Sequence, residues 1–160
     1  MFPARDPAYW RDLHAATVAE EDTLMFARFT YEDAWALGSA MVTSATAQAF
    51  PLAIAINFGQ QRVFHASLAG SSATNDDWLA RKFSAVAKHN CSSWALACRY
   101  RAEQKDYFAE GGYSRADIAL AGGAVPLRVA GSLVGAVGVS GLAENEDHRF
   151  VVDALRAFRD

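Results

Sequence analysis

The sequence has little of what marks exported or membrane-spanning proteins. Its first ten residues lack the apolar run and the small-residue cleavage site of a signal peptide. Its most apolar stretch, Val125 to Val139, is interrupted by Arg128 and by glycines, and is too short to cross a bilayer. Its two cysteines, Cys91 and Cys98, would lie roughly 10 Å apart along one helix, too far for a mutual disulfide. We therefore expect a cytoplasmic protein with reduced thiols.

Charge of one sign is not concentrated anywhere in the chain. The formal net charge is -3, and no stripe of lysine and arginine is present, which argues against nucleic acid as a partner. Hydrophobic residues make up 52% and charged residues 21%, which is ordinary for a globular protein. A chain of 160 residues has the length of one domain with one core. We expect residues 1–160 to form a single domain.

Helix signals recur at both ends and in the middle of the chain. Asp6 can cap a first helix, and Thr30 with Asp33 forms a capping-box pattern ahead of an apolar stripe. A third helix is predicted from about Asp76 to His89, with a bend or a new cap at residues 90–93 and helix beyond it. Asn145 is the expected cap of the last helix.

Strand signals lie between these helices. Residues 52–58 and 62–68 alternate large and small side chains around a turn, and residues 125–129 and 133–139 do the same. The weak alternation of residues 24–29 predicts a short edge strand. Gly135 and Gly138 inside the last strand indicate close packing by a helix or a ligand. Because no strand-helix-strand repeat is present, we predict an α+β fold with a mainly antiparallel sheet covered by helices on both faces.

Five segments, running from the second helix to the end of the chain, have a familiar pattern. They are 34–38 (AWALG), 75–82 (NDDWLARK), 121–129 (AGGAVPLRV), 134–142 (VGAVGVSGL) and 146–148 (EDH). The most specific part is the glycine-rich second hairpin with its Ser-Gly exit. Together these segments resemble the uncharacterised branch of the heme-degrading-domain family of HbpS-like and GlcG-like proteins, which also includes the C-terminal domain of PduO-type corrinoid adenosyltransferases.

The resemblance implies a profilin-like fold with five strands in α/β/α layers. It also implies a homo-oligomer, and a heme or another anionic tetrapyrrole as a possible ligand. The chain departs from the pattern at Ala121, where the branch is expected to carry a histidine before the glycine pair. If that histidine contributes to a ligand site, this chain lacks that contribution.

A candidate ligand site is predicted between the third helix and the second hairpin. Its residues are Arg81, Lys82, His89, Gly122 and Gly123. Arginine offers a planar fork of donors to an anion, histidine is a common heme ligand, and glycine backbone N–H groups can bind anions. Each feature also has a purely structural interpretation: a helix-surface pair of Asp77 with Arg81, a cation at a helix end for His89, and a turn for the glycine pair.

The remaining candidates leave the function open. His148, in the first turn of the last helix, can lie at a pocket rim, assist capping or contact another subunit. No nucleophile-elbow pattern, helical metal pair or catalytic order of Ser, His and Asp stands out. A homo-oligomeric small-molecule-binding protein is therefore our leading hypothesis. A protein-interaction or scaffold oligomer is the second, and an enzyme acting on a small metabolite is the third.

Overall fold

Five strands form one mixed sheet in the computed structural model, which describes residues 5–160. The strands are β1 (Met25–Phe26), β2 (Ala53–Phe58), β3 (Gln61–Ser67), β4 (Ala124–Val129) and β5 (Ser132–Ser140). Their order across the sheet is β1-β4-β5-β2-β3. β1 runs parallel to β4, and the other neighbouring pairs are antiparallel. The mainly antiparallel sheet, both predicted hairpins and the short edge strand are thereby confirmed.

Six helices accompany the sheet within the described part of the chain. They are α1 (Pro7–Glu21), α2 (Tyr31–Ala47), α3 (Ala73–His89), α4 (Ser93–Glu103), α5 (Tyr107–Gly111) and α6 (Glu144–Arg159). None of these helices, which cover everything helical in residues 5–160, combines the length and the hydropathy needed to cross a membrane.

The two faces of the sheet carry side chains of different size. Large residues such as Ile54, Ile56 and Val139 face α2 and α6 and form the main core. The opposite face carries small residues, among them Ala55 and Ala136, and packs against α3. Alternation of large and small residues along each strand produces this difference. As a result α3 approaches the sheet closely enough for its side chains to reach the strand backbone.

The glycines of β5 make two close contacts. A Cβ at Gly138 would lie 2.4 Å from a ring carbon of Phe83 on α3, so the predicted close packing comes from a helix. A Cβ at Gly135 would lie 1.8 Å from the backbone oxygen of Asn57 on β2. The space at both positions is therefore occupied by the protein itself.

Two helix starts differ from the predictions. α3 begins at Ala73 because the Asn75 side chain accepts a hydrogen bond from the Ser72 N–H at 2.9 Å and caps the chain before Asp76. α6 begins at Glu144, so the prediction of Asn145 as its cap was wrong.

The acidic side chains just beyond Asn145 explain where α6 begins. Glu146 accepts a hydrogen bond from the Ala143 N–H at 3.3 Å, and Asp147 accepts one from the Leu142 N–H at 2.9 Å. Because these carboxylates satisfy the N–H groups ahead of the first turn, no cap from Asn145 is needed.

The break between α3 and α4 agrees with the sequence. Asn90 ends α3 in the left-handed region with φ 53°, and the Ser92 side chain accepts a hydrogen bond from the Ala95 N–H at 2.9 Å. Cys91 therefore lies between the two helices and Cys98 within α4, so the prediction that both lie along one helix was wrong. Both thiols are free, as expected. Burial raises the pKa of Cys91 to about 11 and that of Cys98 to about 12, so both stay protonated at neutral pH.

The capping box of α2 provides a first testable contribution to stability. The Thr30 side chain accepts a hydrogen bond from the Asp33 N–H at 3.2 Å, and Asp33 accepts one from the Thr30 N–H at 2.8 Å. We expect Thr30→Ala to lower the free energy of unfolding by about 1 kcal/mol. Urea unfolding followed by circular dichroism measures the change. Thr43→Ala is the matched control, because the exposed Thr43 hydroxyl on the same helix only donates back to Ser39. An equal loss in both variants would contradict a capping role.

Candidate functional site

A cavity of about 910 Å³ lies between α1, α2 and α6. α1 packs against α4 and forms one wall, while α2 and α6 form the opposite wall. The lining is mainly apolar. The phenylalanine, tyrosine and tryptophan residues that line it are Tyr9, Trp10, Phe50, Trp94, Phe150 and Phe158. A cavity with this volume and lining can hold a flat organic molecule the size of a cofactor.

His148 contributes a polar group to this apolar wall. The residue is 2% exposed, and neither Nδ1 nor Nε2 has a hydrogen-bond partner among residues 5–160. Burial, assisted by the charge of Arg149, lowers the pKa of His148 to about 4. At neutral pH the imidazole is therefore uncharged and keeps a free lone pair. Buried polar groups without partners are rare in folded proteins and often mark a functional position.

The backbone around His148 is held from the side of the sheet. A Cβ at Gly122 would lie 2.2 Å from the backbone oxygen of Glu144 and 3.2 Å from the Cβ of His148. Only glycine leaves room for the loop ahead of β4 to pack so closely against the first turn of α6. The ring of Trp94, centred 6.4 Å from the imidazole, lies against another side of His148. Gly122 and Trp94 thus pack against His148 from two sides.

A buried ion pair lies directly behind this turn. Lys82 is 3% exposed, and its Nζ donates to the Asp147 carboxylate at 3.0 Å and to the Val139 carbonyl at 3.1 Å. Asp147 also accepts hydrogen bonds from the Leu142 N–H at 2.9 Å and the Gly141 N–H at 3.4 Å. Burial lowers the pKa of Lys82, and the adjacent Asp147 carboxylate opposes that shift. The pair ties α3, β5 and α6 together at one point.

Three of the five residues predicted as a site meet at this ion pair. A Cβ at Gly123 would lie 2.6 Å from the Nζ of Lys82, and Gly122 packs against α6 next to it. Lys82, Gly122 and Gly123 therefore lie together beneath the turn that carries Asp147 and His148. They form part of the support of the cavity wall, and none of them lines the cavity.

The structure places the other two predicted residues elsewhere. Arg81 pairs with Asp77 at 2.9 Å, and its guanidinium carbon lies 4.0 Å from the centre of the Trp78 ring. The structural interpretation, a helix-surface pair, is therefore what the structure shows for Arg81. His89 lies at the end of α3, where its Nε2 is 2.7 Å from the hydroxyl of Tyr107. Neither residue lines the cavity.

The cavity itself was not predicted from the sequence. Its walls come from three helices that are distant along the chain, so no local pattern reports it. The buried position of His148 did have a signal: it is followed at helical spacing by Val151, Val152 and Leu155, all of them buried. That spacing favours a histidine inside the protein over one at a pocket rim.

Comparison with known proteins supports both the family resemblance seen in the sequence and the observed fold. Residues 29–156 match the family described as "Haem degrading protein HbpS-like". A UPF0303 protein of Streptomyces coelicolor is 44% identical over 149 residues, which cover 90% of this chain and 94% of the relative.

Solved structures share the architecture. The crystal structure of Ybr137w protein has a TM-score of 0.85 and 26% identity, and the match covers 91% of this chain and 87% of that one. A PduOC:heme complex has a TM-score of 0.68 and 18% identity, with 81% of this chain and 94% of that one covered, a likeness that concerns the fold. From the sequence match over most of its length, the chain belongs to the HbpS-like haem-degrading protein family.

Proposed function

We propose that this protein binds heme, or another flat anionic tetrapyrrole, in the cavity between α1, α2 and α6. The observation that carries the proposal is His148, a buried neutral imidazole in the mainly apolar lining, whose two ring nitrogens are unpaired among the described residues. Histidine is a common axial ligand of heme iron. One of the solved structures with this fold is a complex with heme, which supports this choice of ligand.

The residues present fit such a ligand. Aromatic and aliphatic side chains can bury the faces of a macrocycle, and Arg149 and Gln48 offer donors to its carboxylates at the polar part of the lining. Bound heme would supply a redox-active iron. The chain would supply the mainly apolar cavity and the His148 nitrogen. The histidine that the resemblance leads one to expect at Ala121 would be replaced by His148, whose Cβ lies next to Gly122.

The sequence-predicted site takes a supporting role in this proposal. Lys82, Gly122 and Gly123 hold the turn that presents His148, while Arg81 and His89 lie apart from it. An anion-binding role for Arg81 stays a prediction, which loss of hemin affinity in Arg81→Ala would support. The single domain over residues 1–160, the homo-oligomer and the cytoplasmic location are parts of the same proposal.

Replacement of His148 tests the proposed ligand. Hemin titrated into the purified protein is expected to give a Soret band distinct from that of free hemin. In His148→Leu we expect the affinity to fall by at least about tenfold, because the iron loses its nitrogen ligand. Ala40→Trp should also weaken binding, since Ala40 is exposed and lines the cavity, where an indole would take up space. His65→Gln is the control, because His65 is exposed and lies outside the cavity. Equal affinities in all four proteins would refute the site.

A protein-interaction role is the second candidate, and an exposed aromatic surface favours it. Trp35 is 69% exposed and Tyr31 is 60% exposed, side by side on α2. The Trp35 ring lies 5.8 Å from that of Phe64 on β3, which is an edge strand of the sheet. Large exposed aromatic residues are common anchors in interfaces. Sedimentation of the wild type and of Trp35→Ala distinguishes an oligomer held by this surface from one held elsewhere.

A further inference from the structure

A second polar pair lies on the opposite side of α4 from the cavity, around His89 and Tyr107. Tyr107, the first residue of α5, is 3% exposed, and its hydroxyl lies 2.7 Å from Nε2 of His89. Of the five tyrosines in the sequence, all of which lie in the described residues, Tyr107 is the one whose hydroxyl pairs with an imidazole. The proposed heme site uses neither residue.

A stacked ring connects this pair to the solvent. The rings of Tyr107 and Tyr113 are nearly parallel, with an angle of 8° between them and their centres 4.9 Å apart. Tyr113 is 36% exposed. The Tyr100 ring meets the Tyr107 ring edge-on at 5.0 Å. The stack therefore places the buried Tyr107 ring in direct contact with a ring that reaches the solvent.

The charges around the pair favour one direction for the hydrogen bond. Burial, together with the charges of Arg99 and Lys88, lowers the pKa of His89, so its imidazole is neutral at neutral pH. Burial raises the pKa of Tyr107, so the phenol keeps its proton. A neutral imidazole nitrogen is a good acceptor for a phenol O–H, and we therefore assign Tyr107 as the donor and His89 as the acceptor.

We infer that Tyr107, His89 and Tyr113 form a one-electron redox site that is oxidised by anionic one-electron oxidants at this surface. In the step, the oxidant takes one electron from the Tyr107 phenol through the stacked Tyr113 ring. The O–H bond of Tyr107 breaks and its proton passes to Nε2 of His89, which leaves a neutral tyrosyl radical beside an imidazolium. A one-electron donor returns the electron, and the proton moves back to the phenol oxygen.

Positive charge near the exposed ring favours anionic oxidants. The Lys88 ammonium lies 5.7 Å from the centre of the Tyr113 ring. The Arg115 guanidinium lies 4.2 Å from the centre of the Phe108 ring, which meets the Tyr107 ring edge-on. Attraction by such charges raises the local concentration of an anion and the rate at which it arrives.

Oxidation by hexachloroiridate(IV), an anionic one-electron oxidant, tests the site without any heme. In stopped-flow mixing at neutral pH, the wild type is expected to consume the oxidant in a fast phase that slows in heavy water, because a proton moves with the electron. Rapid freezing after that phase should trap a tyrosyl radical detectable by electron paramagnetic resonance. Ascorbate should remove the signal and restore the reduced protein.

Three variants decide whether the radical resides on Tyr107. Tyr107→Phe keeps the ring but has no O–H, and should lose the fast phase. His89→Gln keeps a hydrogen-bond acceptor but not a base, and should slow that phase by about tenfold, which corresponds to about 1.4 kcal/mol of barrier. Tyr31→Phe, at the exposed tyrosine bonded to Gln61, should behave as the wild type. A fast phase unchanged in either Tyr107→Phe or His89→Gln would overturn the inference, provided that thermal unfolding shows both variants folded.

Discussion

Asp147→Ala is expected to lower the free energy of unfolding by about 3–5 kcal/mol, the usual result of removing one partner from a buried ion pair. The Lys82 ammonium would remain in a place where its side chain is 4% exposed, with the Val139 carbonyl as its remaining acceptor. The N–H groups of Gly141 and Leu142 would lose their acceptor as well. Urea unfolding at pH 7, followed by tryptophan fluorescence and by circular dichroism, measures the loss.

A double variant separates the charge from the packing. In Lys82→Met with Asp147→Leu, both charges are replaced by apolar side chains of similar size, and most of the lost stability should return. A residual deficit of about 1 kcal/mol is expected from the backbone donors that Asp147 satisfied. Asp153→Ala, on the exposed side of the same helix, should change little. If Asp147→Ala were as stable as Asp153→Ala, the ion pair would not make the contribution to the free energy of unfolding that we expect from its geometry.

This ion pair also links the fold to the proposed site. Asp147 and His148 are neighbours in the first turns of α6, and they point to different surroundings: the carboxylate toward Lys82 and the imidazole toward the cavity wall. The Asp147 variant should therefore weaken hemin binding along with stability, whereas His148→Leu removes the ligand without touching the pair. A His148→Leu protein that keeps its stability and loses hemin affinity would show that the two functions of this turn are separable.

Local patterns were enough to predict most of the fold. Alternation along residues 52–58 identified a strand with Ile54 and Ile56 on the core side, and the capping box at Thr30 located the start of α2 to the residue. The element order then led to a mainly antiparallel sheet with helical cover, as observed. These signals are short-range, since each depends on residues within a few positions of one another.

The candidate site depended on contacts that no local pattern reports. Lys82 and Asp147 are 65 residues apart, and the pattern around each is equally compatible with an exposed charge. Arg81, the more conspicuous cation, pairs on the surface, whereas its neighbour Lys82 is the buried one. Burial of a lysine between a helix and a sheet is decided by the small residues opposite it, and those lie on other strands. Lys82, Gly122 and Gly123 therefore lie together, as predicted, but around an ion pair that the sequence did not predict.

Gly135→Ala is expected to cost about 3 kcal/mol or more, or to prevent folding, because overpacking here involves backbone that cannot move aside. Its added Cβ would lie 1.8 Å from the Asn57 backbone oxygen and 3.2 Å from the Cα of Phe58, both on β2. Gly135 pairs with Phe58 on β2 and with Leu127 on β4, so a strand lies on each side of it. To admit a methyl group, β5 would have to separate from β2 in the middle of the sheet.

Gly59→Asn is the matched control for this steric argument. Gly59, in the turn between β2 and β3, has φ 55°, and nothing lies within 4 Å of a Cβ placed there. Asparagine tolerates that backbone conformation, so its cost should stay within about 1 kcal/mol. Yield of soluble protein and urea midpoints for the two variants measure the difference. We expect replacement of a glycine to lower stability strongly only where a neighbouring strand fills the space of the new side chain. Equal stability of the two variants would mean that β5 can shift to make room for a methyl group at position 135.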